Sequence, residues 1–217
     1  MVTRDKQVSV QLERLLPGDI EARSFEIIET ELPHPISAEL APIIKRVIHT
    51  SADFEYADTL CFSEGVVNHA LDVLSHGATI VTDTNMALAG INKYALKELG
   101  CTAQCYMADP DVADFAKSNC TTRAAASVDK AATLDGPLIY VVGNAPTALV
   151  RLYEKITAFE IKPSLIIGVP VGFVNVVQAK ELIMTADVPY IVARGRKGGS
   201  NVAAAIVNAL MYMITRK

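Results

Sequence analysis

The ten residues Leu138-Ile139-Tyr140-Val141-Val142-Gly143-Asn144-Ala145-Pro146-Thr147 hold a strand, a turn and a helix start. Positions 138–142 are apolar throughout, so a strand built from them turns no polar face to water and belongs in a sheet covered on both sides. Gly143 and Asn144 can turn the backbone, Pro146 suits the first position of a helix, and Thr147 places a hydroxyl there. Helix-forming sequence continues to Phe159, and a second apolar run spans Leu165 to Gly168. Two buried strands separated by a helix-length segment require a crossover, which predicts parallel pairing.

The same alternation extends outward. Apolar runs bounded by turn residues occur at Thr59 to Phe62, Thr79 to Thr82, Thr102 to Tyr106 and Tyr190 to Ala193. Between and beyond them, helix-length segments run from Glu64 to His76, Asn92 to Leu99, Asp111 to Asn119, Thr121 to Leu134, Val174 to Met184 and Asn201 to Ile214. The pattern predicts an α/β fold: a doubly wound, mostly parallel sheet with helices on both faces. Residues 1–55 stand apart as an N-terminal helical extension. There Asp19 to Leu32 forms one helix, Pro33-His34-Pro35 breaks the chain, and Ser37 caps a second helix running toward Ile48. With no repeat or low-complexity linker, 1–217 reads as a single domain.

The chain has 217 residues, 51% of them hydrophobic, with a mean hydropathy of +0.28. Its apolar stretches are short and interrupted, so none predicts a membrane span. Arg4, Asp5 and Lys6 leave no room for the apolar core of a signal peptide, which points to the cytoplasm. A net charge of −4 without a basic stripe argues against nucleic acid as a partner. Cys61, Cys101, Cys105 and Cys120 follow no zinc spacing and read as small buried apolar residues. No metal set emerges.

In a doubly wound fold, ligands sit beyond the carboxyl ends of the strands, so the turns after each strand carry the candidates. Arg194-Gly195-Arg196-Lys197-Gly198-Gly199-Ser200 puts cations and glycines before a helix, the makings of an anion site. It matches neither the phosphate-loop nor the dinucleotide pattern, and a plain helix cap with solvated basic residues would also account for it. Gly168-Val169-Pro170-Val171-Gly172-Phe173 forms either a tight apolar corner against which a flat ligand fits, or a simple strand exit. Asp83, Asn85 and Asn144 are turn formers or polar groups aimed into the cleft. The candidate ligand contacts on these turns are Asp83, Asn144, Arg194, Gly198 and Ser200.

Histidine is the one side chain that ordinarily titrates near neutral pH, which singles out four residues. His34 lies between prolines, and His69 and His76 lie on a predicted helix where surface or capping roles suffice. His49 differs, because Arg46 precedes it by three residues on the same helical face. Such a pair can hold a carboxylate and offer a proton to the same molecule; a packed structural histidine fits the spacing too.

Taken in order, Arg46-Val47-Ile48-His49, Gly143-Asn144-Ala145-Pro146-Thr147-Ala148-Leu149, Gly168-Val169-Pro170-Val171-Gly172-Phe173-Val174 and Arg194 to Ser200 resemble the precorrin-8X methylmutases, also called cobalt-precorrin-8 methylmutases. Asn119-Cys120-Thr121-Thr122-Arg123 and Thr82-Asp83-Thr84-Asn85-Met86 are similar as well, so the resemblance covers nearly the whole chain. It implies a cofactor-free isomerase, usually homodimeric. That enzyme moves a methyl group from C-11 to C-12 of a corrinoid precursor, giving hydrogenobyrinate or its cobalt form, cobyrinate. The resemblance places the catalytic histidine at His49 and substrate contacts at Ser24, Arg46 and Arg123. The sequence departs from the family over Val174 to Lys180, where smaller residues and a Glu-Ser pair are usual.

A large flat ring fringed with carboxylates calls for an apolar cleft edged by arginines, which the turns and Arg46 offer independently. Two alternatives share the same features: a non-catalytic tetrapyrrole-binding or carrier protein, and an α/β enzyme using a nucleotide or sugar phosphate.

Overall fold

The computed structural model describes residues 12–216; the stretch 1–11 behind the leader-peptide argument lies outside the described residues. Helices α1 (Ile20–Glu31), α2 (Ala41–Ser51) and α3 (Tyr56–Thr59) precede strand β1 (Leu60–Phe62). Then follow α4 (Val66–Ser75), β2 (Thr79–Thr82), α5 (Asn85–Gly90), α6 (Lys93–Glu98), β3 (Thr102–Gln104), α7 (Pro110–Ser118) and α8 (Arg123–Ala131). The chain continues through β4 (Leu138–Val142), α9 (Pro146–Thr157), β5 (Leu165–Gly168), α10 (Val176–Ile183), β6 (Tyr190–Ala193) and α11 (Ser200–Thr215).

The strands form one six-stranded sheet in the order β1-β6-β5-β4-β2-β3. All neighbours are parallel except β1, which runs antiparallel to β6 with Cys61 opposite Val192. The apolar runs end up inside as their composition requires: all five residues of β4 and all four of β5 are buried. Alternate residues point to opposite layers. Ile139 and Val141 join a core with α2, α4, α5, α6 and α11, whereas Leu138, Tyr140 and Val142 join one with α7, α8, α9 and α10.

Helices α1 and α2 are unequal. In α2, Ile43, Ile44, Val47 and Ile48 are at most 3% exposed and pack against α11, each such side chain contributing about 1.5–3 kcal/mol on burial. Ile28 is the one buried residue of α1. The α2 helix starts later than its sequence suggests, because Ser37 caps only a turn, its Oγ accepting from Leu40 N–H at 3.4 Å, and the helix begins at Ala41 with Pro42 in its first turn. Of the cysteines only Cys101 is buried; Cys61 and Cys105 are half-buried and Cys120 is exposed, which corrects their reading as uniform core residues.

Candidate active site

The strand order reverses between β2 and β4, where a doubly wound sheet opens its ligand crevice. Asp83, at the end of β2, bridges that point. Its Oδ1 accepts from Gly143 N–H at 2.8 Å, and its Oδ2 accepts from Asn144 N–H at 2.8 Å and Ala145 N–H at 2.7 Å. Burial raises the Asp83 carboxyl above its ordinary value, and the three amide donors limit the rise. A fully buried carboxylate with its oxygens so occupied organises the β4–α9 turn. Its reading as a ligand contact is corrected accordingly.

The loop after β6 is laced into the fold. Gly199 N–H donates to Val169 O at 2.9 Å, and Gly172 N–H donates to Arg196 O at 3.1 Å. Lys180, fully buried on α10, donates from Nζ to Gly195 O at 2.9 Å and Lys197 O at 2.8 Å. Burial lowers its ammonium to about 8. Lys197 reaches Asp53 at 2.6 Å and Glu55 at 2.7 Å, tying the loop to the chain just beyond His49. Gly198 fits against Val169 so closely that a Cβ there would lie 2.1 Å from the Val169 carbonyl oxygen. Its part is therefore to let two loops meet.

The arginines of this loop do not converge. Arg194 faces Glu181 on α10 at 3.3 Å, and the Arg196 guanidinium lies 5.6 Å from the Phe173 ring centroid. The anion site expected at this helix entry is not assembled. Ser200 shares a hydrogen bond with Thr84 at 2.8 Å, joining the start of α11 to the cap of α5.

His49 and Arg46, by contrast, do come together. Both line a pocket of about 290 Å³ with Gly90, Asn201, Ala204, Asn208 and Tyr212. Arg46 and Tyr212 also line an adjoining hollow of about 670 Å³ bounded by Phe25, Lys45 and Arg216. The larger hollow falls within the ordinary size of a ligand site. Phe25 stacks on His49 with ring centroids 5.4 Å apart and planes 18° from parallel, and the Arg46 guanidinium lies 4.7 Å from the same Phe25 ring. Ser24 lies beside Phe25 on α1, its Oγ donating to Ile20 O at 2.9 Å.

Arg123 and Asn144 lie elsewhere, both exposed. Arg123 opens α8, whose cap Thr122 shares a hydrogen bond with Thr147 at 2.9 Å. Beside them is a hollow of about 730 Å³ lined by Asn119, Thr121, Asp129, Arg151 and Asn175 among others. The candidates thus divide between a helix face around His49 and the carboxyl edge near β4.

Several residues of the His49 face were not singled out from the sequence: Phe25, Asn201, Asn208, Tyr212 and Arg216. A signal existed for three of them. Asn201, Asn208 and Tyr212 are spaced by seven and four, a polar stripe on an otherwise apolar helix. Asn208 uses its amide to hold the α5–α6 junction, accepting from Asn92 N–H and donating to Gly90 O, each at 2.8 Å.

The chain is an α/β protein whose mostly parallel sheet carries a histidine–arginine pair on an adjoining helix face. The family model for precorrin-8X methylmutase matches residues 19–213. Cobalt-precorrin-8 methylmutase of Salmonella typhimurium is 47% identical over 203 residues, covering 90% of this chain and 95% of its own. Precorrin-8X methylmutase of Pseudomonas aeruginosa is 38% identical over 195 residues, covering 88% and 92%. The crystal structure of a precorrin-8X methyl mutase from Thermus thermophilus superposes with a TM-score of 0.82 at 40% identity, covering 91% of this chain and 98% of that one. The chain belongs to the precorrin-8X methylmutase family, isomerases of cobalamin biosynthesis. These matches give no support to the carrier or to the nucleotide alternative. Among the described residues, no helix is long and apolar enough to cross a membrane.

Proposed function

We propose that this chain, acting as one catalytic unit, moves the methyl group of precorrin-8X or its cobalt form from C-11 to C-12. One carbon–carbon bond breaks and one forms within a single molecule, so substrate and product are isomers and the step calls for no cofactor. His49 donates a proton or hydrogen bond to a ring nitrogen near C-11, drawing electron density from the conjugated system as the methyl group migrates. Such assistance is typically worth roughly 10² to 10⁴ in rate. Arg46 grips a peripheral carboxylate beside it, with Ser24 as a further contact on α1. Arg123 and Asn144 serve more distant parts of the macrocycle's edge, and Arg194 reaches it only by leaving Glu181.

The observation that carries this reading is the shared pocket of His49 and Arg46, with Phe25 stacked on the imidazole. It sets an acid and a carboxylate-binding cation in one pocket, with a flat apolar ring stacked beside them. The protein works in the cytoplasm, as a homodimer.

The test follows the visible spectrum of the precursor as it converts to the isomerised corrin. His49→Ala is expected to lower turnover by about 10² to 10⁴ while product binding survives. Wild-type rates in that variant would reject the assignment, and tight product binding without conversion by the native protein would favour a carrier.

A further inference from the structure

Arg46 already holds a carboxylate in this structure, and the protein itself supplies it. Arg46 Nη2 donates to Glu21 Oε1 at 2.8 Å, and the same oxygen accepts from Arg216 Nη1 at 3.0 Å. Tyr212 lies against both cations, its ring centroid 5.3 Å from the Arg46 guanidinium and 3.6 Å from that of Arg216. The hydrogen bond from Arg46 holds the Glu21 carboxyl below its usual range. One turn further along α1, Phe25 covers His49 and Arg46. The helix thus lays a carboxylate and a flat apolar ring on this face, the same two features that a carboxylate-fringed macrocycle presents.

That arrangement is easily reversed. The Glu21 side chain is 44% exposed and Arg216 50%, whereas Arg46 is only 16% exposed. Glu21 can return to water at little cost, while Arg46 stays partly enclosed and in need of an anion. With Ile28 its one buried residue, α1 is held here by few apolar contacts.

We infer that Arg46 and Arg216 together form a carboxylate subsite, which Glu21 fills in the free protein and a carboxylate of the corrinoid takes over on binding. Arg216 is then a specificity-determining residue, selecting macrocycles whose nearest side chain is a free acid over those in which it is amidated. This inference rests on the assignment of the site around His49.

The test is visible-absorption titration with hydrogenobyrinate. Glu21→Gln removes the internal competitor and is expected to tighten binding by about two- to fivefold, the scale of a partly exposed ion pair. Arg216→Gln is expected to weaken it by a similar factor, with Arg216→Lys recovering part of the loss. A fully amidated corrinoid should not distinguish Arg216→Gln from the native protein. If Arg46→Gln weakens binding while Glu21→Gln and Arg216→Gln leave it unchanged, the subsite is refuted and the site around His49 stands. If Arg46→Gln has no effect either and His49→Ala turns over normally, both fall together.

Discussion

The Phe25 ring lies 5.4 Å from the His49 ring and 18° from parallel to it, joining α1 to the candidate catalytic residue. Stacked aromatic pairs are coupled by about 0.5–1.5 kcal/mol beyond their burial. A double-mutant cycle of Phe25→Ala and His49→Ala, read by chemical denaturation, is expected to return a coupling of that size. Strict additivity would mean that the contact does not persist in solution.

The buried Asp83 carboxylate satisfies three amide groups of the β4–α9 turn. In Asp83→Ala those donors lose their acceptor, and the expected cost is about 2–4 kcal/mol. For a chain of this size the melting temperature falls by about 2–4 °C per kcal/mol. Differential scanning calorimetry checks it, and an unchanged melting temperature would contradict the role given to Asp83.

Two glycines of the β6–α11 loop should respond differently to alanine. At Gly198 the new methyl would lie 2.1 Å from the Val169 carbonyl oxygen, and overpacking of that kind typically costs about 1–3 kcal/mol or more. Gly195 has φ of +77° with open space around it, so Gly195→Ala pays the backbone penalty alone, about 1 kcal/mol. Urea denaturation of the two variants should rank them in that order.

Lys180 ties stability to alkaline pH. Its ammonium titrates near 8 in the fold against an ordinary 10.5. Between those values the unfolded chain binds the extra proton, so raising the pH removes a penalty from the folded state and stabilises it. From pH 8 to 10.5 the native protein should gain up to roughly 3 kcal/mol relative to Lys180→Met, measured by denaturation at both pH values. The neutral amine keeps two N–H donors for the two carbonyl groups it serves. A constant difference between native and variant would refute the shift.

The sheet could be read from the sequence where a strand is buried on both faces. Leu138–Val142, Leu165–Gly168 and Tyr190–Ala193 fall at the expected residues because an unbroken apolar run bounded by turn formers has few other solutions. The antiparallel direction of β1 left no such mark, since three residues look the same in either sense. Helices α3 and α5, of four and six residues, are too short to show an amphipathic repeat.

Of the site, the partnership of His49 with Arg46 was legible because helical spacing alone puts them together. The directions of Arg194 and Arg196 were not, since they are set by Glu181 and Phe173, residues remote in sequence and adjacent only after folding. Phe25 and Arg216 escaped notice for the same reason: nothing local to either marks the face on which they meet Arg46.

The packing of α2 against α11 carries one more consequence, concerning synthesis. The helix bearing His49 leaves the ribosome well before residues 200–215, which cover the apolar face that fixes it in place. Ile43, Val47 and Ile48 must wait for those residues as their partners, a long-range closure of the kind that folds slowly and leaves sticky intermediates exposed. A nascent chain is thus expected to be inert toward corrinoids until residues 200–215 have been made. Chains stopped after Gly199 are expected to be captured by chaperones and to bind no hydrogenobyrinate.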